Sequence, residues 1–204
     1  NLINNAICLK AGENVLTETT DTPEELSTEL IKAVEKAQGN AFVRNSNSRV
    51  RRQSIKSATE VQLKLEAELS LAEMKQMQAY IAIRGANNAM ENGDIDDAKM
   101  LMYRKLTKET LDYRVNKTKW CVLRWPNPSM AQGAKMSTEA FEDFYFKACL
   151  ADYPKMKSAA QNLIDLMNKT DKVRLVAKDT DITFSIKGIP AVPCCGNMNI
   201  PDGE

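Results

Sequence analysis

The sequence predicts an α/β fold: a largely parallel sheet with helices on both faces, followed by the first, partly antiparallel strands of a second domain. Three observations carry this expectation. Short strand-like runs alternate four times with segments whose apolar residues recur at helical spacing, the order that a parallel sheet with crossover helices requires. The first three of those runs are compact apolar stretches, as strands covered on both faces tend to be. Beyond the fourth unit the rhythm changes to two strand-like runs joined by a polar turn, a hairpin signature.

The elements follow in order. Residues 14–19 (NVLTET) read as the first strand. A helix should follow, with Thr22 as N-cap, Pro23 at the first helical position and Glu25 closing a capping box. Its face is Leu26, Leu30, Ala33, Val34 and Ala37, and Gly39 should stop it. Residues 41–44 (AFVR) are a second strand, and the Ser-, Asn- and Arg-rich stretch 45–57 reads as a loop. Thr59 and Gln62 form another capping box, ahead of a helix whose stripe is Val61, Leu65, Leu69 and Ala72. Residues 80–83 (YIAI) are the third strand. Gly93 and Asp94 open the next helix, with Asp94, Asp96 and Asp97 at its positive end and Ile95, Ala98, Met102, Leu106 and Tyr113 as its buried stripe. Residues 120–124 (WCVLR) are the fourth strand, closed by Pro126 and Pro128. Ser137 caps a helix with Phe141, Phe144, Tyr145 and Ala148 on its apolar face, and Met136 and Phe141 are placed for a hydrophobic staple. A further helix covers 156–167, and the strands 173–176 and 182–186 flank the turn at 178–181. The change of rhythm places a first domain at 1–160 and the start of a second at 161–204, with no internal repeat.

Composition narrows the function. A formal net charge of +1 gives no global basic field to draw the chain to nucleic acid, and no apolar stretch approaches a membrane span, so neither is an expected partner. The five cysteines are odd in number and irregular in spacing, which reads as reduced thiols in a cytosolic protein. Cys194 and Cys195 read as small buried strand residues. There is no histidine, which removes Ser-His and Cys-His dyads and the usual imidazole zinc sites. The first strand-to-helix connection, Thr19-Thr20-Asp21-Thr22-Pro23, contains no glycine, so backbone cannot cradle a phosphate there. The basic run Arg49, Arg51, Arg52 and Lys56 lacks neighbouring aromatic stacking groups, and reads as a solvated loop. The carboxylate pairs at 24–25, 96–97 and 142–143 sit in helix first turns or polar faces, where capping and solvation account for them. The C-terminal stretch differs. Pro201-Asp202-Gly203-Glu204 is a tight turn after a strand-like run, and it delivers a carboxylate at its exit that a divalent cation can take as ligand.

Gly188-Ile189-Pro190 followed by Asn197-Met198-Asn199-Ile200-Pro201-Asp202-Gly203-Glu204 resembles the segment leading into the active site of the aminopeptidase T family, thermophilic-type two-metal leucyl aminopeptidases. Trp120-Cys121-Val122-Leu123-Arg124-Trp125-Pro126-Asn127-Pro128-Ser129-Met130-Ala131-Gln132 is similar to that family's passage, and so are Met136-Ser137-Thr138-Glu139-Ala140-Phe141-Glu142 and the run 180–188. The resemblance implies an enzyme that removes N-terminal residues from peptide substrates with two adjacent divalent metal ions (Zn, Co, Mn or Mg), and it suggests a homodimer. It maps one metal ligand onto Glu204 and no catalytic residue onto this chain. The remaining Glu, His and Asp ligands would lie beyond Glu204, so these 204 residues are expected to be the largely non-catalytic N-terminal portion, inactive alone. The alternative from a different class is a doubly wound binding module for a small anion or nucleotide.

Overall fold

The structure, a computed structural model, describes residues 2–203. After a π-helical turn at Leu2–Ala6, four parallel strands form in order: β1 (Asn14–Thr20), β2 (Asn40–Ser46), β3 (Ala79–Arg84) and β4 (Lys119–Arg124). Between them lie α1 (Glu24–Lys36), α2 (Ser48–Ser57), α3 (Glu60–Met74) and α4 (Asp97–Lys117). The chain continues through α5 (Pro128–Gly133), α6 (Thr138–Cys149) and α7 (Tyr153–Lys169) to a hairpin of β5 (Lys172–Ala177) and β6 (Thr180–Ser185). A two-residue strand, β7 (Asn199–Ile200), then returns to β4. The result is a five-stranded parallel sheet in the order β2-β1-β3-β4-β7 and a separate antiparallel pair. All four expected strand-helix alternations are present, with strand ends shifted by one or two residues.

Side chains alternate across the sheet, so each strand feeds two cores. Val15, Ala79, Ile81, Ile83 and Cys121 pack with Leu30 and Val34 of α1, Phe141, Tyr145 and Cys149 of α6, and the N-terminal turn. Leu16, Tyr80 and Ala82 face the other way, onto Met74, Met77 and Tyr113 beside α3 and α4. Strand β3 lies at the centre and is buried from Ala79 to Ile83. Strand β2 is an edge, and Phe42 on it is 41% exposed.

Several local expectations are corrected. Thr22 does not cap α1; the helix starts at Glu24 and has no side-chain cap. Its end is a Schellman turn in which Gln38 takes the left-handed conformation (φ 59°), with Gly39 N–H donating to Val34 O and Gln38 N–H to Glu35 O. The stretch 45–57 is not a loop. Asn47 caps α2, accepting from Arg49 N and Val50 N at 3.0 and 3.2 Å, and Ile55 anchors the helix in the core. On α3 the buried face is Leu63, Ala67 and Met74, while Val61, Leu65 and Leu69 are 77%, 55% and 62% exposed. That helix is apolar on two faces, so its pattern alone does not choose between them. Thr59 does cap α3, accepting from Gln62 N at 3.2 Å, but the Gln62 side chain turns to Glu66 instead of closing the box. Helix α4 starts at Asp97, later than expected; Asp96 caps it and Asp94 pairs elsewhere. Its stripe is only half-buried at Met102, Leu106 and Tyr113. On α6, Ser137 is the cap as expected, but Phe144 is 60% exposed and Cys149 completes the buried face. Cys194 and Cys195 lie outside any strand and are half-buried.

Candidate metal-turn site at the carboxyl edge of the sheet

Parallel α/β sheets bind ligands beyond the carboxyl ends of their strands, most often where the strand order reverses. Here the reversal falls between β1 and β3. That crevice is filled by the chain itself. Gly85 N–H donates to Thr20 O at 2.7 Å, and a Cβ on Gly85 would lie 2.5 Å from Asp21 O. The Asp21 carboxylate accepts from Ser48 N at 3.1 Å, which ties the loop down. Asn127, 6% exposed, then bridges the next two connections: its Nδ2 donates to Ala86 O at 3.0 Å and its Oδ1 accepts from Met130 N at 3.0 Å.

The open end of the edge lies at β4 and β7. Strand β7 pairs Asn199 with Val122 and Ile200 with Leu123, and Val122 N–H donates to Met198 O at 2.9 Å. The register ends at Ile200. The next outward-facing groups of β4, the Arg124 N–H and C=O, are met by Tyr145. Its hydroxyl accepts from Arg124 N at 3.1 Å and donates to Arg124 O at 2.8 Å. Tyr145 therefore stands in for a strand partner, and the chain is free to turn away after Ile200.

The turn is braced from below. Asp202 Oδ2 accepts from Gly196 N at 2.7 Å, closing residues 196–202 into a compact loop. Gly196 (φ 77°) lies on the Tyr153 ring so closely that a Cβ would sit 2.6 Å from Cγ, a contact only glycine permits. Tyr153 is buried and its hydroxyl donates to Ala148 O at 3.0 Å. Burial, with the Asp202 carboxylate and Cys149 adding to it, pushes the Cys121 thiol up to about 12. Cys121 is thus a neutral core residue at physiological pH.

Asp202 is engaged inward, by the Gly196 N–H. Glu204 lies outside the described residues. Among the described residues no three His, Cys, Asp or Glu side chains come together in a metal-binding group. The residues present do not by themselves fit a two-metal centre. Three of the four cations of the basic run on α2 are engaged within the chain: Arg52 and Lys56 hold Asp94, the latter at 2.8 Å, and Arg51 Nη2 donates to the Tyr103 hydroxyl at 2.8 Å. Those two cations, Arg52 first, hold the Asp94 carboxyl far below the usual carboxylate range.

A family model described as thermophilic metalloprotease (M29) matches residues 2–204. The chain belongs to the M29 family. Its fold is similar to that of wild-type AmpT from Thermus thermophilus, with a TM-score of 0.72 over 98% of this chain at 13% identity. The M29 chain spans 57% of that protein's length. No curated protein matches it. The family is described as one of metalloproteases. No helix among the described residues is long and apolar enough to cross a membrane. Tyr145, Asp202 and Gly196 as supports of the turn are invisible in the sequence.

Proposed function

We propose that this chain is the N-terminal, largely non-catalytic portion of a metal-dependent aminopeptidase that removes N-terminal residues from peptides, and that Glu204 is one of its metal ligands. The observation that carries the reading is the braced turn. Residues 196–203 lie at the carboxyl edge of the sheet and are held by the β7 pairing with β4, the Asp202–Gly196 bond and the close contact of Gly196 with the Tyr153 ring, immediately ahead of Glu204 in the sequence. A ligand presented on a rigid turn loses little entropy when metal arrives. Family membership over 2–204 supports the same reading.

The division into residues 1–160 and the start of a catalytic domain at 161–204 is part of this proposal. It is supported by the β5–β6 hairpin, where Leu175, Val176, Ile182 and Phe184 are 44–68% exposed. A two-stranded ribbon is marginal alone, and such a surface calls for further strands. The two divalent ions (Zn, Co, Mn or Mg), a cytoplasmic location and a homodimer belong to the proposal as well. Unbridged Cys8, Cys121 and Cys149 support a reducing compartment, and the exposed Val61, Leu65 and Leu69 row of α3 supports a partner surface. The crevice at the strand-order reversal is filled by Gly85 and Asp21, which weighs against a phosphate-binding module. The test is Glu204→Gln in the full-length enzyme. Metal content and turnover should both fall while circular dichroism is unchanged; full metal and full activity would make Glu204 a turn residue only.

A further inference from the structure

Arg84 and Arg124 end β3 and β4 as direct partners in the parallel register. Neighbouring strands lie about 4.8 Å apart, so the two side chains leave the sheet side by side. Their parity with Tyr80, Ala82 and Val122 places both on the face that carries α3 and α4. Like charges directly opposite on neighbouring strands are destabilising. Both residues are exposed, and among the described residues neither guanidinium makes an ion pair or donates a hydrogen bond. The acids of that side are engaged elsewhere. Glu18 accepts from the Tyr80 hydroxyl and lies 3.8 Å from Arg44, Glu73 pairs with Arg44 at 2.5 Å, and Asp94 holds Arg52 and Lys56.

The backbone behind the pair is rigid. Trp125 N–H donates to Arg84 O at 2.9 Å, Tyr145 holds the Arg124 N–H and C=O, and Asn127 ties the two following loops together. The pair also sits beside the metal turn. Leu123 is registered with Ile200, so Arg124 faces Pro201 one step on. From Pro201 to Glu204 the chain can reach at most about 11 Å, the span of an extended tri- or tetrapeptide at roughly 3.3–3.6 Å per residue.

We propose that Arg84 and Arg124 bind the C-terminal carboxylate of short peptide substrates, and so bias the enzyme toward small free peptides. Two planar guanidinium forks side by side match a carboxylate better than any neutral group. This rests on the aminopeptidase reading above. The two arginines are specificity residues at the far end of the substrate and take no part in bond cleavage.

The test uses the full-length, metal-loaded enzyme and three substrates: trialanine, trialanine amide and alanine 4-nitroanilide. Wild type should prefer the free acid over the amide by about 10–100-fold in kcat/KM, carried mainly by KM, as loss of a charge-assisted pair implies. The variant R84Q/R124Q should lose that preference and keep anilide turnover. Anilide cleavage with equal use of acid and amide by wild type overturns the inference while leaving the aminopeptidase reading intact, and needs no variant. A preference that survives in R84Q/R124Q overturns it too. No cleavage of any of the three substrates overturns the aminopeptidase reading, and this inference with it.

Discussion

Replacing Tyr145 by Phe removes one oxygen and leaves two backbone groups of β4 without a partner. Tyr145 is 6% exposed, and its hydroxyl makes both contacts to Arg124, at 3.1 and 2.8 Å. Burial raises the Tyr145 hydroxyl well above its ordinary pKa, so it is a neutral phenol that can donate and accept at once. An unsatisfied buried donor or acceptor costs about 1–3 kcal/mol. The Arg124 side chain is exposed, so water can reach part of this strand end and the sum of two full penalties overstates the loss. A destabilisation of about 2 kcal/mol is expected, or roughly 4–8 °C in Tm for a chain of this size. Thermal unfolding followed by circular dichroism measures the loss. Hydrogen exchange at the Arg124 amide reports its location, and protection there should fall before that of Ile81 at the sheet centre. A shift under about 1 °C, or unchanged Arg124 protection, would refute the claim that Tyr145 replaces a strand partner.

Other outcomes follow from the same geometry. Gly196→Ala forces a Cβ against Tyr153 at a positive φ, and about 2–4 kcal/mol of destabilisation is expected from strain and overpacking together, read as a lower urea midpoint. Asp94 has a depressed folded pKa, so the attachment of α2 through Arg52 and Lys56 is intact above about pH 4, the unfolded carboxyl value, and is lost as pH falls through and below it. Asp94→Asn should remove that acid-dependent component, seen as an altered low-pH arm in stability measured against pH. Exposed Cys8 should react with iodoacetamide at pH 8 in the folded chain, whereas buried Cys121, with its thiol pushed up to about 12, should react only on unfolding; mass spectrometry of the labelled peptides separates them. The 204-residue chain alone should show no metal-stimulated anilide hydrolysis above background, and turnover that survives contaminant controls would place the chemistry inside it.

Much of the first sheet could be read from the residues because β1, β3 and β4 each lie between two strands. Strand β3 must be apolar on both faces, and a run such as YIAI between polar segments has few other uses. The caps at Thr59 and Ser137 were legible for a similar reason, since the bond is made within one turn of the chain. What the sequence left open depends on partners distant along the chain. Helix α2 shows a single buried apolar residue, Ile55, and is held by Asp94 about forty positions away, so it carries no stripe to read. Helix α3 offers two apolar faces, and only its packing on the sheet decides that Leu63 goes inward and Leu65 outward. The turn ahead of Glu204 was visible as Pro-Asp-Gly, but not what holds it. A two-residue strand, a hydroxyl from α6 and a glycine pressed on Tyr153 are each meaningless until the fold brings residues 121–124, 145, 153 and 196–202 together. Local hydrogen bonding and periodicity determine elements. The choice among faces, and the bracing of a turn by groups far off in sequence, are settled only by the burial that folding creates.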